Sequence, residues 1–268
     1  MNQRFALASS WLGATLLLAA LLALPHVAAA RTLAEVKAKG AISLCANPDA
    51  LPYASERADQ PGFQIELAQA IAAGLGVSLE LQWIKPRYRA RLVNCDILMD
   101  SINDPELYEG KLLLSRPYNH TGVALGVRPS GKDIHRFADL KKGQKVGVMV
   151  NSLTQIVLVQ SGVSTSPYAF ETDMLEDLAK GELFGAAASP ATITWYARQH
   201  PESGIQAIPA YDHEPKLAWD VSVGMRKSDQ ALVDAVNNVL DGLLKDGTVT
   251  RVYEKYGVQQ RMPSAGAQ

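Results

Sequence analysis

Apolar residues recur along this chain with two alternating periods. At Ile65, Leu67, Ala68, Ile71, Ala72 and Leu75 they keep the spacing of one helix face, and at Leu79, Leu81 and Trp83 they alternate as on a strand. Read in this way, Thr32 to Lys39 is a short helix ended by Gly40, and Ala41 to Ala46 is a short apolar strand. Asn47 to Tyr53 then carries turn chemistry, with Pro48 and Pro52. Gly74 and Gly76 mark the end of the second helix, Val77 to Trp83 is the next strand, and Asp96 to Met99 the one after. A β-α-β-α-β opening predicts a parallel sheet with ligands at the C-terminal ends of its strands.

The second half changes pattern. Thr121 to Val127 reads as one strand, followed by the loop Arg128 to Lys132. Lys145 to Val150 is a second apolar strand, and a helix opens near Leu153. Further β/α alternation runs through Met174 to Leu178, Phe184 to Ala188 and Thr192 to Arg198. Trp219 to Met225 is a strand. From Gln230 to Lys245, Leu232, Val233, Val236, Val239, Leu240, Leu243 and Leu244 form one helix face. Gly247 separates this helix from a last one at Val249 to Tyr256, and 258–268 is expected to be a flexible tail.

The N-terminus carries different information. Arg4 precedes the apolar run Trp11 to Leu24, Pro25 breaks it, and Ala28-Ala29-Ala30 offers small residues ahead of Arg31. The run is shorter than the roughly 20 residues that span a bilayer. It is read as a cleaved secretory signal over residues 1–30 rather than an uncleaved anchor, which places the mature chain in the periplasm. A formal net charge of -1 argues against nucleic acid and anionic membrane surfaces as main partners. The two cysteines, Cys45 and Cys95, admit a disulfide, as an even pair in an exported chain suggests. They also admit two buried thiols. The five histidines show no ligand spacing, so no metal is expected, nor any cofactor.

Three stretches carry a resemblance. They are Ile42 to Asn47 with Pro52-Tyr53 and Gly62-Phe63; Cys95 to Ser101 with Ser115-Arg116-Pro117-Tyr118 and Gly122 to Arg128; and Ser222 to Asp229 with Leu244 to Thr248 and Tyr253 to Gly257. Together the chain resembles bacterial periplasmic solute-binding proteins of family 3, the type serving polar amino acid ABC transporters. The resemblance implies an α/β, two-lobed periplasmic binding protein fold (type II), each lobe a mainly parallel sheet flanked by helices. Lobe 1 would comprise 31–126 and 222–257, and lobe 2 would comprise 127–221, in a monomer that closes on a small-molecule ligand and hands it to an ABC permease. The opening Cys45-Ala46-Asn47-Pro48, the Arg-rich segment after Trp83 and Cys95-Asp96 also resemble a narrower branch. Its members accompany periplasmic quinoprotein methanol dehydrogenases as accessory or maturation proteins.

Candidate ligand contacts follow from strand ends and helix starts. Asp100, Ser101 and Asn103 close the third strand and suit a polar or cationic ligand or, equally, the turn itself. Asn47 and Tyr53 leave the first strand at the same edge. Ser152 and Thr154 stand at a helix N-terminus, where they suit an anion or simply cap the helix. Tyr118 and Ser189, each in a family-like segment, complete the set. Arg87, Arg89 and Arg91 offer an anion or partner contact, against the plainer reading of a solvated charged face.

Family members clamp the ligand carboxylate with an Arg ahead of Ser-x-Pro-Tyr, and that place falls near Tyr108 in an acidic stretch. The acid that meets a ligand amine late in lobe 2 is also missing from Gly181 to Pro190. The resemblance therefore implies a solute other than a standard α-amino acid. The chain shows no Ser nucleophile elbow, no H-E-x-x-H and no phosphate loop, so binding is expected rather than catalysis. The alternative to solute capture is docking to a quinoprotein dehydrogenase.

Overall fold

The computed structural model describes residues 31–84, 95–226 and 228–263, which form two mixed sheets flanked by helices. Helix α1 (Leu33–Lys39) starts at Thr32, whose side chain accepts from Glu35 N while Glu35 reaches back to Thr32 N. It stops at Gly40, which adopts the left-handed conformation at φ 68°. Strand β1 (Ala41–Ala46) follows, buried at every position, as a central strand covered on both faces should be. The hairpin β2 (Asp49–Ala50) and β3 (Ala54–Ser55) leads into α2 (Phe63–Gly74) and β4 (Ser78–Trp83). Strands β5 (Ile97–Ile102), β6 (Leu112–Leu114) and β7 (Asn119–Gly122) complete the first passage.

The second sheet contains β8 (Ala124–Val127), β9 (Lys145–Met149), β10 (Ser164–Tyr168), β11 (Gly185–Ala188) and β12 (Gln206–Ile208). Among them run α3 (Leu153–Gln160), α4 (Glu171–Lys180) and α5 (Pro190–Gln199). Strand β13 (Ala218–Arg226) returns to the first sheet, and α6 (Gln230–Lys245) and α7 (Thr248–Lys255) pack upon it. The strand orders are β4-β1-β5-β13-β6, with β7 also on β13, and β10-β9-β11-β8-β12. Pairs made through βαβ crossovers are parallel, β1 with β4 and β5, and β9 with β10 and β11. Strands β13 and β8 each enter from the other sheet and therefore run antiparallel to their neighbours.

Each sheet has its own core. Ile42, Leu44, Ile71, Ile97 and Met99 meet Leu232, Val236 and Leu240 of α6 in the first. In the second, β8, β9 and β11 are covered on one face by Leu158 of α3 and on the other by Met174, Leu178 and Ile193. The apolar faces read from the sequence for α2 and α6 are these buried faces.

Three expectations change. Thr121 to Val127 is two strands in two sheets, divided at Val123, whose amide donates to Leu217 O at 2.9 Å. The sheets exchange chain at Val123 and between Leu217 and Ala218, a few residues ahead of the expected boundaries. The crossings touch at Gly122, where a Cβ would lie 2.3 Å from Leu217 O, so only glycine fits there. Strand β10, polar and holding Pro167, carries no strand signal of its own and sits at the sheet edge that tolerates proline. The tail expected to be flexible is docked as far as it is described. His120 N donates to Arg261 O at 2.8 Å, and Arg261 N donates to Asn119 Oδ1 at 2.9 Å. Arg261 also bonds Tyr211 and Asp212, tying the tail to both sides of the crossing. Among the described residues no helix is long and apolar enough to cross a membrane.

Candidate functional site

The C-terminal ends of β1 and β5 open toward the second sheet, and here side chains of the two halves meet. The loop after β1 is shaped by Gly62. Its φ of 97° and its packing on Tyr53, with a Cβ position 2.4 Å from Tyr53 O, leave room for no other residue. Gln64 N donates to Tyr53 O at 3.0 Å, so the N-terminus of α2 holds the loop. The Tyr53 ring lies 4.8 Å from Phe63, which in turn stacks at 4.7 Å on Tyr253. From this wall the Tyr53 phenol lies within electrostatic reach of Ser189 of the second half, whose hydroxyl is bonded to the Thr192 hydroxyl at 2.8 Å.

Ser189 ends β11 and caps α5, accepting from Thr192 N at 3.1 Å, while its own amide donates to Glu171 Oε1 at 2.9 Å. Burial first, then the negative charge of Glu171, with Asp100 contributing less, pushes the Tyr53 phenol far above its ordinary pKa. Tyr53 is therefore a hydrogen-bond donor across the physiological range. Asp100 is exposed within β5, and its side chain has no hydrogen-bond partner among the described residues. Its charge also acts on Tyr108, Tyr118 and Tyr253. The site thus gathers the Tyr53 phenol, Ser189 and the carboxylates of Glu171 and Asp100 within electrostatic reach of one another.

Of the expected contacts, Tyr53, Ser189 and Asp100 are gathered here. Tyr118 is fully buried, with its hydroxyl donating to Met99 O and bonded to Tyr253, so it supports the site from within the first core. Ser101 is buried and lies beside the Tyr108 phenol, whose pKa it lowers against the effect of burial. Asn103 ties β5 to β13, its Oδ1 accepting from Ser222 Oγ at 3.0 Å. Asn47 accepts from Asp49 N at 3.0 Å and closes its own turn. Ser152 caps α3 and Thr154 is buried in its first turn; no hydrogen bond joins either to Tyr53 or Ser189. Arg87, Arg89 and Arg91, like the segment 1–30, lie outside the described residues. Cys45 and Cys95 form a disulfide with a Cα–Cα distance of 5.5 Å, and the buried-thiol alternative falls.

Glu171 is the residue that sequence reading missed. It opens α4 as an ordinary first-turn acid, and only the fold brings it beside Ser189, eighteen positions on. Around this point α5 leans on the first half. Trp195 lies 6.0 Å from the Tyr256 ring, and Arg198 Nη1 donates to Lys255 O at 2.9 Å. A pocket of about 130 Å³ lined by Asp59, Trp195, Arg198 and Tyr256 lies at that contact. A larger groove, about 740 Å³, belongs to the first half alone, where Trp83, Ile65 and Val252 form its apolar wall.

The crossing strands carry a further pair. His120 Nδ1 lies 2.7 Å from Asp220 Oδ1, joining β7 to β13 where the chain leaves the first sheet.

Known proteins resemble this chain in sequence and fold. Over 201 residues the chain is 24% identical to a probable amino-acid ABC transporter-binding protein of Haemophilus influenzae, covering 71% of this chain and 74% of that one. It is 26% identical over 240 residues to membrane-bound lytic murein transglycosylase F of Yersinia pestis, covering 83% of this chain. The chain spans only 47% of that enzyme's length. Among solved structures, an ancestral cationic amino acid solute-binding protein superposes with a TM-score of 0.71 at 24% identity, covering 84% of this chain and 98% of that one. That likeness establishes the type II periplasmic binding protein fold. With residues 42–259 matching the family profile, the chain belongs to the bacterial extracellular solute-binding proteins, family 3.

Proposed function

We propose that the chain captures a small cationic solute without an α-carboxylate between its two halves and delivers it to an ABC permease. The single observation that carries this reading is the Glu171 carboxylate held on Ser189 N at 2.9 Å, its charge acting on Tyr53 of the other half. Glu171 supplies beside Ser189 the negative charge expected at the end of β11, so a ligand amine has a partner. Tyr108 stands near the place of the usual carboxylate-clamping Arg, and its phenol lies beside Ser101 and the Ile102 backbone. A phenol held in this way gives neither the charge nor the fork geometry that a carboxylate requires. A bound cation contacts both halves at once and thereby favours the closed arrangement.

The test is calorimetric titration and thermal shift with primary amines, diamines and the standard amino acids. Amines are expected to bind and raise the midpoint, and Glu171→Gln to weaken them by about 1.5–3 kcal/mol, the worth of a charged hydrogen bond. Tight binding of an α-amino acid with Glu171→Gln unaffected refutes the reading.

A second reading has its own observation. Two of the three segments resembling the dehydrogenase-associated branch, those at Cys45 and Cys95, are joined by the Cys45–Cys95 bond. Stoichiometric co-purification of a quinoprotein dehydrogenase, with no small molecule bound, would favour it over transport.

A further inference from the structure

Arg31, the expected first residue after signal cleavage, is not loose. Its backbone N lies 3.3 Å from Asp96 Oδ1, its Nε 3.0 Å from the same oxygen, and its Nη2 contacts Asp96 Oδ2. Asp96 is 2% exposed and also accepts from Ser43 N and Ser43 Oγ, each at 2.7 Å. It sits next to Cys95, at the strand end pinned to Cys45. Ser228 Oγ donates to Arg31 O at 3.2 Å, so the residue is held from both sides.

We propose that Asp96 is a receptor for the processed N-terminus, and that cleavage before Arg31 completes it. Hydrolysis by a signal peptidase adds water across the Ala30–Arg31 bond. The carboxylate leaves with Ala30, and Arg31 keeps the nitrogen, which takes up a proton and becomes an ammonium. A neutral amide donor at a buried carboxylate is thereby replaced by a charged one, roughly doubling the strength of that hydrogen bond. In the precursor this contact is made by a neutral amide and in the mature chain by an ammonium, so part of the stability arrives only after export. That order suits a chain translocated unfolded.

The ionic surroundings set the pH dependence. Asp96 faces the ammonium, and Glu35 and Asp229 add negative charge near Arg31. The Arg31 guanidinium opposes them. The nearest of these groups to the nitrogen is the Asp96 carboxylate, which favours the charged form of the amine. The added stability is therefore present while the amine is protonated and is lost in alkali as it deprotonates.

The experiment compares oxidised chains beginning at Arg31 and at Ala28, with the disulfide intact in both. At pH 7 the Arg31 chain is expected to melt about 2–4 °C higher, the shift that one such interaction gives in a chain of this size. The gap should close by pH 11 and vanish when both chains carry Asp96→Asn. If Asp96→Asn does not fold, acylation of the α-amine at pH 7 reads the same contact, with Arg31, whose nitrogen is held at Asp96, expected to react severalfold slower than Ala28. Equal melting at pH 7, or a gap that survives Asp96→Asn, overturns the proposal. So does N-terminal sequencing of the exported protein that finds a start other than Arg31.

Discussion

Replacing Cys45 and Cys95 together by alanine opens a covalent loop with a sequence separation of 50 residues. In the chain-entropy description such a loop restricts the unfolded state by about 14 cal/mol/K, or about 4 kcal/mol at 25 °C. The closed segment contains β2, β3, α2 and β4, and with them Gly62 and Tyr53, so the loss falls on the part of the first half that presents the site. In a chain of this length each kcal/mol moves the melting midpoint by about 2–4 °C, so the variant is expected to melt about 8–16 °C lower. Scanning calorimetry on the oxidised protein, the reduced protein and the double variant measures it. Reduced and doubly substituted chains should agree to within a few degrees, since both lose the same constraint. A drop under about 3 °C with unchanged far-UV dichroism refutes the reasoning, because the loop would then already be restricted in the unfolded chain.

Asp96→Asn is expected to destabilise near pH 7 and to converge on the parent in acid. Burial raises the Asp96 pKa, but hydrogen bonds from Arg31 and Ser43 overcome it and hold the carboxyl below its ordinary value. Its contribution is therefore complete above about pH 4 and is lost as pH falls through the lower folded value, and urea melts at pH 7 and pH 2.5 check this. Gly62→Ala, placed at positive φ against Tyr53 O, should cost roughly 1–3 kcal/mol and weaken solute binding as well, read by melts and titration of the same sample. Arg261→Ala should change global stability little, since exposed ion pairs contribute at most about 1 kcal/mol, yet speed amide exchange at Asn119 to Gly122. Unaltered exchange there would show that the tail does not brace the crossing.

Much of the local structure is written in short-range chemistry. Thr32 with Glu35 and Gly40 brackets α1, the run from Leu232 to Leu244 marks the buried face of α6, and the wholly apolar Ala41 to Ala46 signals a central strand. Those signals act over one or two turns, where capping, glycine conformation and hydrophobic period decide the outcome. Less was legible where the decision is made at a distance. Nothing within Thr121 to Val127 announces a change of sheet, because the break at Val123 is set by Leu217, Tyr211 and the close approach at Gly122. His120 and Asp220, isolated in sequence, become partners only through the register of β7 on β13.

The site divides along the same line. Tyr53, Asp100 and Ser189 were offered by the rule that an α/β fold opens its cleft at strand ends, and the fold brings them within electrostatic reach, with Asp100 inside β5 and Tyr53 in the hairpin turn. Tyr118 and Ser101 looked equivalent by the same rule, and packing turned them into the interior. Glu171 could not be named, since a first-turn acid on α4 is ordinary helix chemistry until β11 and α5 bring Ser189 N to within 2.9 Å of it. The cysteine pair allowed two states, and the parallel register of β1 between β4 and β5 chose the bonded one by bringing the Cα atoms to 5.5 Å. By itself the sequence determined the helices and the central strands, all properties of neighbouring residues. Tertiary structure alone decided which acid faces which phenol, because that depends on two sheets meeting and on no local pattern.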